Sequence, residues 1–268
     1  MGWPFYAMNL WQASADGGLV AWLYGATSAT AKLAGGAVTL EQITDYPFDD
    51  RASIIVTEGE GEFPLYLRIP GWCRSVEVSV NGETRQLSAD GEDMVRIERP
   101  WGQGDRVEAR FDMPMTQTRW PRSGAITVDR GPLSYSVRID EEWRRCGGTD
   151  DWPESEVIPA SDWNYGLVLD AGGRVQASVL KTAGELADNP WTLENSPVEL
   201  AVKARKIAEW KLEPGGSVQE LRKSPIRSDA DAEEIPMIPL GCARLRMSCL
   251  PVVDDTPEAN VWGEFRDC

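Results

Sequence analysis

Regular alternation of apolar and polar residues recurs along this chain and constrains its fold more than any other feature. Residues 75–80 read S-V-E-V-S-V, which places three valines on one face of an extended segment. Asn81-Gly82 follows, and this pair favours a tight hairpin because both central residues take a positive φ. The same period of two recurs over residues 106–112, 133–139 and 243–247. A period of two is typical of strands with one buried face, so the pattern predicts an all-β protein.

Other segments are apolar on both faces, which indicates strands covered from both sides. They span residues 19–24, 52–57 and 63–69. Residues 198–210 could be read as an amphipathic helix. The alternation at their start, directly after Pro197, predicts a strand for at least the first half. Many short strands separated by Gly, Pro and Asn turns favour β-sandwiches.

Two breaks in composition predict the domain organisation. A turn-rich segment lies at residues 121–124 and a polar run at 228–234. We therefore expect two jelly-roll-like β-sandwiches, the second inserted into the first. Residues 18–123 and 235–253 form the first sandwich in this prediction, and residues 124–234 form the second. Residues 254–268 are expected to be a loosely held acidic tail.

Charge and the lack of histidine narrow the classes of function. The net charge of −16 disfavours nucleic acid and anionic membranes as partners, whereas a neutral sugar is compatible with it. The sequence contains no histidine, which excludes Ser–His–Asp and Cys–His catalysis in their usual forms. It also removes the commonest metal ligand, and we expect no cofactor in this chain.

The five cysteines are scattered and form no CxxC pair. Such spacing indicates neither a zinc site nor a disulfide framework. Reduced, mostly buried thiols are expected, and with them a cytoplasmic location.

Tryptophan is unusually frequent, with 12 residues. Indole rings can stack on sugars, because they combine a flat apolar face with a polar N–H. Trp143, Trp152 and Trp163 flank an irregular stretch and are the candidates for stacking on a plant-type oligosaccharide. Three others, in or beside predicted strands, are expected to pack in the interior or against a neighbouring domain: Trp22, Trp72 and Trp101.

The first residues form a dense apolar cluster. Trp3, Phe5, Tyr6 and Trp11 stand at its centre. Such a surface is typical of a docking site for another domain. The cluster begins as if inside a structured segment of a longer protein.

Five segments, in this order and spacing, together resemble the C-terminal part of glycoside hydrolase family 127, the β-L-arabinofuranosidase group. They are D-G-G-L-V-A-W-L-Y (16–24), L-R-I-P-G-W-C (67–73), D-R-G-P-L-S-Y-S (129–136), W-N-Y-G-L (163–167) and I-P-L-G-C-A-R-L-R (238–246). The resemblance implies an N-terminal (α/α) barrel followed by two β-sandwiches, one inserted into the other. Residues 1–17 would then be the remnant of a missing catalytic barrel, or a segment that docks on it.

In that family, the resemblance further implies, a retaining hydrolysis uses a cysteine nucleophile, a glutamate acid/base and a zinc ion held by cysteines and a glutamate. All of these belong to the barrel, so no catalytic, metal-binding or cofactor-binding residue of the family maps onto this sequence. We therefore expect a non-catalytic region that braces the barrel. Two alternatives stay open: a free-standing carbohydrate-binding module, and the accessory subunit of a split glycosidase whose barrel is a separate chain.

Overall fold

The computed structural model describes residues 2–88, 93–181, 184–256 and 259–262. By its internal contacts the chain divides into two compact units, Met1–Pro114 and Met115–Cys268. Regular structure in both is almost entirely extended, which confirms the predicted all-β class. Within the described ranges, no helix is long and apolar enough to cross a membrane.

In its described residues, the first unit contains one short helix and ten strands. Their bounds are α1 (Trp3–Met8), β1 (Trp11–Ala13), β2 (Leu19–Ala21), β3 (Thr27–Leu33), β4 (Gly36–Ile43), β5 (Arg51–Glu58), β6 (Gly61–Arg68), β7 (Ser75–Val80), β8 (Glu83–Ser88), β9 (Met94–Trp101) and β10 (Arg106–Phe111).

Two sheets of the first unit face each other across one apolar core. One has the strand order β1-β2-β6-β9 and the other β3-β4-β5-β10-β7-β8. Leu65 and Trp101 enter the core from the first sheet, and Leu40, Val107 and Phe111 enter from the second. Because every second residue of β10 is buried, its alternation predicted this face correctly. The unit is therefore a β-sandwich.

The predicted hairpin between β7 and β8 is present. Asn81 and Gly82 have φ values of 51° and 87°, as a two-residue turn of this kind requires. The side-chain oxygen of Asn81 also accepts a hydrogen bond from the backbone N–H of Arg106 at 2.8 Å. This bond ties the turn to the neighbouring strand β10.

Over the part of the chain that the structure describes, the second unit contains eleven strands and one 3₁₀ turn. Their bounds are β11 (Met115–Arg119), β12 (Ile126–Arg130), β13 (Leu133–Val137), β14 (Glu141–Gly148), β15 (Pro153–Pro159), β16 (Tyr165–Leu167), β17 (Ala177–Lys181), β18 (Glu199–Lys206), β19 (Ile226–Arg227), β20 (Ala232–Pro239), η1 (Leu240–Cys242) and β21 (Val253–Asp254).

A seven-stranded sheet dominates the second unit. Its order is β11-β12-β13-β20-β18-β16, with β17 also paired to β18. Two small sheets, β14-β15 and β19-β21, complete the strand pairing. The strand predicted at the start of residues 198–210 is β18, and it lies inside the large sheet with Leu200 and Val202 fully buried.

The predicted return of residues 235–253 to the first sandwich is wrong. Strand β20 is hydrogen-bonded between β13 and β18, and all three belong to the second unit. The polar run at residues 228–234, predicted to be a domain boundary, leads into this strand, and its Glu234 lies opposite Lys203. Opposite charges on facing strands stabilise the pair, so the acidic residues extend the sheet here. The two units therefore follow one another, and neither is inserted into the other.

Three local predictions also differ from the structure. Residues 243–247 form no strand, because the chain turns through η1 directly after β20. The outer face of β5, expected to be covered, is only partly buried. In the predicted tail, Asp254 lies in β21 and the backbone of Asn260 bonds to Pro225 and Arg227, whereas residues 257–258 and 263–268 lie outside the described part of the chain.

A substitution at Phe111 tests the core of the first unit. Its ring lies 4.8 Å from that of Tyr24 and 6.2 Å from that of Trp72, centre to centre. We expect Phe111→Ala to lower the free energy of unfolding by about 3–5 kcal/mol, because it leaves a cavity between the sheets. Ile43→Ala, at an exposed position of β4, should change it by less than about 0.5 kcal/mol. Urea denaturation followed by circular dichroism measures both, and equal losses would contradict the assigned core.

Candidate functional site

A pocket of about 220 Å³ lies in the second unit, with tryptophans on its walls. We call it the tryptophan pocket. Its aromatic and charged lining comprises Glu141, Trp143, Trp191, Glu194, Arg244 and Arg246. Apolar ring faces and hydrogen-bonding groups thus meet in one concave site.

Trp143, near the start of β14, forms one wall. Its indole N–H donates to a carboxylate oxygen of Glu141 at 3.3 Å. The guanidinium of Arg244 lies over the ring, 4.9 Å from its centre, and pairs with the same carboxylate at 3.6 Å. Glu141 is nearly buried, and its carboxylate holds both the ring and the guanidinium in place. Trp143 itself remains 54% exposed.

Trp191 forms a second wall and sits in a compact loop. Its backbone N–H donates to the side chain of Asn189 at 3.2 Å. Asn195 closes the loop by bonding to the carbonyl of Asn189 and to the hydroxyl of Thr192. A Cβ atom on Gly241 would lie only 2.6 Å from the Trp191 ring. A glycine is therefore required at this position for the ring to lie where it does.

The floor of the pocket is apolar and comes from η1 and the residues around it. Cys242 and Ala243 pack with Ile238 and Leu193. The Cys242 thiol donates to the carbonyl of Pro190 at 3.4 Å, and burial raises the pKa of this thiol above its ordinary value. The thiol is therefore neutral at physiological pH and acts as part of the floor.

The three tryptophans predicted to stack on sugars have different surroundings. Trp143 lines the tryptophan pocket. Trp152 is 82% exposed between β14 and β15, away from that lining. Trp163 is only 8% exposed and packs edge-on against Trp210 at 5.3 Å, so little of its ring is accessible for stacking. Trp191 was not predicted from the sequence. The Asn189-Pro190 pair directly before it, which favours a turn, was the available signal.

The expected interior tryptophans are largely confirmed. Trp101 is buried and donates its indole N–H to the carbonyl of Phe63 at 2.9 Å. Trp72 packs against the core of the first unit. Trp22 is instead at the surface, beneath the guanidinium of Arg68 at 5.4 Å.

The predicted docking cluster is partly exposed. Helix α1 is held by Tyr6, whose hydroxyl donates to the carbonyl of Tyr24 at 2.9 Å. Phe5 and Met8 are 70% and 76% exposed, and we call these two side chains the N-terminal apolar face. Trp11 does not belong to it, because its ring packs on the core and its N–H donates to Thr27. The side chain of Trp3 lies outside the described residues.

The cysteines do not fit the zinc site that the resemblance implies for the barrel. Among the described residues, no three His, Cys, Asp or Glu side chains are grouped to hold a metal ion. Cys73 donates its thiol hydrogen to the carbonyl of Ser75 at 2.9 Å, and burial raises the pKa of that thiol. A metal ligand or nucleophile needs the thiolate, which this environment disfavours.

The first unit is similar to a known family of domains. Residues 18–113 match the family model described as β-L-arabinofuranosidase, GH127 middle domain. No curated protein matches the sequence. The matched residues coincide with nearly all of the first sandwich.

Solved structures extend the likeness to both units. A GH127 β-L-arabinofuranosidase from Geobacillus stearothermophilus T6 is 25% identical with a TM-score of 0.61, over 93% of this chain and 35% of that one. A GH127 β-arabinofuranosidase is 22% identical with a TM-score of 0.58, over 89% of this chain and 35% of that one. A further glycoside hydrolase is 25% identical with a TM-score of 0.57, over 90% and 37%. This chain thus spans little more than a third of these proteins.

The fold and these matches define a β-rich partial region similar to the corresponding part of glycoside hydrolases. More particularly, residues 18–113 match the GH127 middle domain, and the chain resembles part of the β-arabinofuranosidases of that family.

Thiol reactivity tests the assignment of the cysteines. At about pH 8, iodoacetamide should label the exposed Cys146 well before Cys73 or Cys242, because alkylation requires an accessible thiolate. A Cys268→Ser background removes the cysteine outside the described residues. Peptide mass spectrometry follows the labelling over time, with urea-unfolded protein as the control in which all sites react. Rapid labelling of native Cys242 would contradict its place in the pocket floor.

Proposed function

We propose that this chain is the non-catalytic β-sandwich region of a GH127-type glycoside hydrolase, and that it docks on and braces the catalytic barrel. The N-terminal apolar face carries this proposal. Two large apolar side chains project into solvent from a helix that is itself anchored to the sandwich through Tyr6. Exposed apolar groups held in a fixed position are typical of an interface.

The extent of the structural match supports a barrel as the occupant. The solved GH127 structures resemble this chain over about 35% of their own length, so most of each relative is a part not found here. A catalytic domain within that larger part is the partner that the apolar face would suit. The face serves equally if the barrel is in the same polypeptide or in a separate chain, as in a split glycosidase.

The chemistry of the described residues supports a non-catalytic role. The buried thiols are held neutral, and the acidic pair Asp49-Asp50 has a structural function. The Asp49 carboxylate accepts the backbone N–H of Asp50 at 2.7 Å, and Asp50 pairs with Arg110 at 3.1 Å. The usual form of glycoside hydrolysis uses two carboxyl groups that flank a substrate, and this turn has no such arrangement. Zinc and nucleophile would come from the barrel.

Charge placed on the apolar face tests docking. We expect Phe5→Asp with Met8→Asp to weaken binding to a separately produced GH127 barrel by about tenfold or more, since the interface would have to bury two carboxylates. Sedimentation or biolayer interferometry measures the affinity. Both positions are exposed, so the melting temperature of the chain alone should change little.

Ile43→Asp is the matched control, because Ile43 is an exposed apolar residue of the same unit. It should leave barrel binding unchanged. If the wild-type chain does not bind the barrel, or if all variants bind equally, the proposed docking role is wrong.

Activity assays test the non-catalytic assignment. The chain alone should release no aryl group from an aryl β-L-arabinofuranoside above the rate of a buffer control. Addition of a GH127 barrel should bring turnover that scales with the barrel concentration. Turnover by the purified chain alone, retained after Cys146→Ser, would contradict the assignment and point to carboxylate catalysis.

A further inference from the structure

We propose that the tryptophan pocket of the second unit binds a neutral sugar ring. This goes beyond the bracing role, which uses the N-terminal apolar face of the first unit. The pocket combines two accessible indole rings with carboxylate and guanidinium groups in one concavity. A sugar presents both kinds of surface at once, apolar C–H faces and a rim of hydroxyl groups.

The aromatic walls provide the apolar contact. Trp143 and Trp191 line the same pocket and remain 54% and 39% exposed. Arg244 lies over the ring of Trp143, yet more than half of that side chain stays accessible. The exposed parts of these rings are apolar surface in contact with water, and the C–H face of a sugar packed against them would release that water.

The charged groups provide hydrogen bonds without a net charge. Two carboxylates, Glu141 and Glu194, and two guanidinium groups, Arg244 and Arg246, line the pocket. Carboxylates accept hydrogen bonds from sugar hydroxyls, and each guanidinium carries five donors. Arg246 gives its Nε hydrogen to the carbonyl of Ala243 at 2.9 Å, which positions the group and leaves other donors for a ligand. The balance of charge favours a neutral ligand over a phosphate or a uronate.

The size of the pocket limits the ligand. A volume of about 220 Å³ is below the roughly 300–1,000 Å³ typical of sites for drug-sized molecules. One sugar ring, or the end of a longer chain, matches this volume better than an internal stretch of polysaccharide.

The site is also preorganised, which reduces the entropy lost on binding. Glu141 holds Trp143 and Arg244, while Asn189 and Asn195 hold the loop of Trp191. The close approach of Gly241 to the Trp191 ring excludes a side chain at that position. A change at Gly241 should therefore displace the ring without removing it.

Titration of the full chain with neutral sugars tests the proposal. The probes are methyl β-L-arabinofuranoside and xylobiose as neutral ligands, with galacturonic acid as the anionic comparison. Indole N–H signals in ¹⁵N NMR spectra, assigned by single Trp→Phe variants, should shift for Trp143 and Trp191 on addition of at least one neutral sugar. The signal of Trp152 should not move, and galacturonic acid should bind more weakly.

Variants give the decisive comparison. Trp143→Ala and Trp191→Ala should each weaken binding about tenfold, because each removes one stacking face. Gly241→Ala should weaken it through displacement of Trp191, and Trp143→Phe should retain part of the affinity. Trp152→Ala is the matched control and should bind as the wild type, with melting temperatures recorded for all variants.

The titration should reach about 50 mM sugar, well above the dissociation constant of about 1 mM that a weak ligand would have. If no neutral sugar shifts any signal at that concentration, the proposal is overturned. Shifts that persist unchanged in both Trp→Ala variants, when these remain folded, would also overturn it. Barrel docking is measured separately on Phe5 and Met8, so failure of one proposal is distinguishable from failure of the other.

Discussion

The position of β20 between β13 and β18 is the constraint on which the second unit depends. Met237 lies opposite both Val137 and Leu200, so one strand closes the middle of the large sheet. Where β20 ends at Pro239, the chain turns immediately through η1 and supplies Gly241, Arg244 and Arg246 to the tryptophan pocket. The pairing that stabilises the sheet therefore also sets the geometry of the candidate site. Loss of this strand would remove the floor and one charged rim together.

Local periodicity allowed much of the fold to be predicted, because burial of alternate residues is a local property of a strand. It gave the strand β10 and the β7–β8 hairpin, where the residue order alone determines which face is apolar. The partner of a strand is not local. Residues 235–239 are apolar whichever sheet accepts them, and the acidic entry to β20 resembles a linker until Lys203 is known to lie opposite Glu234. Domain membership could not be derived from composition for that reason.

The candidate site shows the same contrast between what is local in the sequence and what depends on distant residues. Trp143 and Trp163 both flank irregular chain in the sequence, yet Trp143 is 54% exposed, whereas Trp163 is 8% exposed and packs against Trp210. What separates them is contact with residues about 50 or more positions away, such as Arg244 over Trp143. Trp191 was not predicted, although Asn189 and Asn195 on either side of it hold its loop in place. Side-chain exposure is a tertiary property that sequence spacing does not encode.

The two exposed apolar features of this chain differ in the chemistry around them, and this difference separates their roles. Phe5 and Met8 project from a helix with no charged residue in its first or last turn, so a partner there gains by exclusion of water over a broad surface. Trp143 and Trp191 instead stand among carboxylates and guanidinium groups that demand hydrogen-bonding partners. A protein surface that covered this pocket would have to desolvate four charges, whereas a hydroxyl-rich ring can satisfy them. The polar surroundings of the tryptophans, more than the rings themselves, favour a sugar over a protein in the second unit.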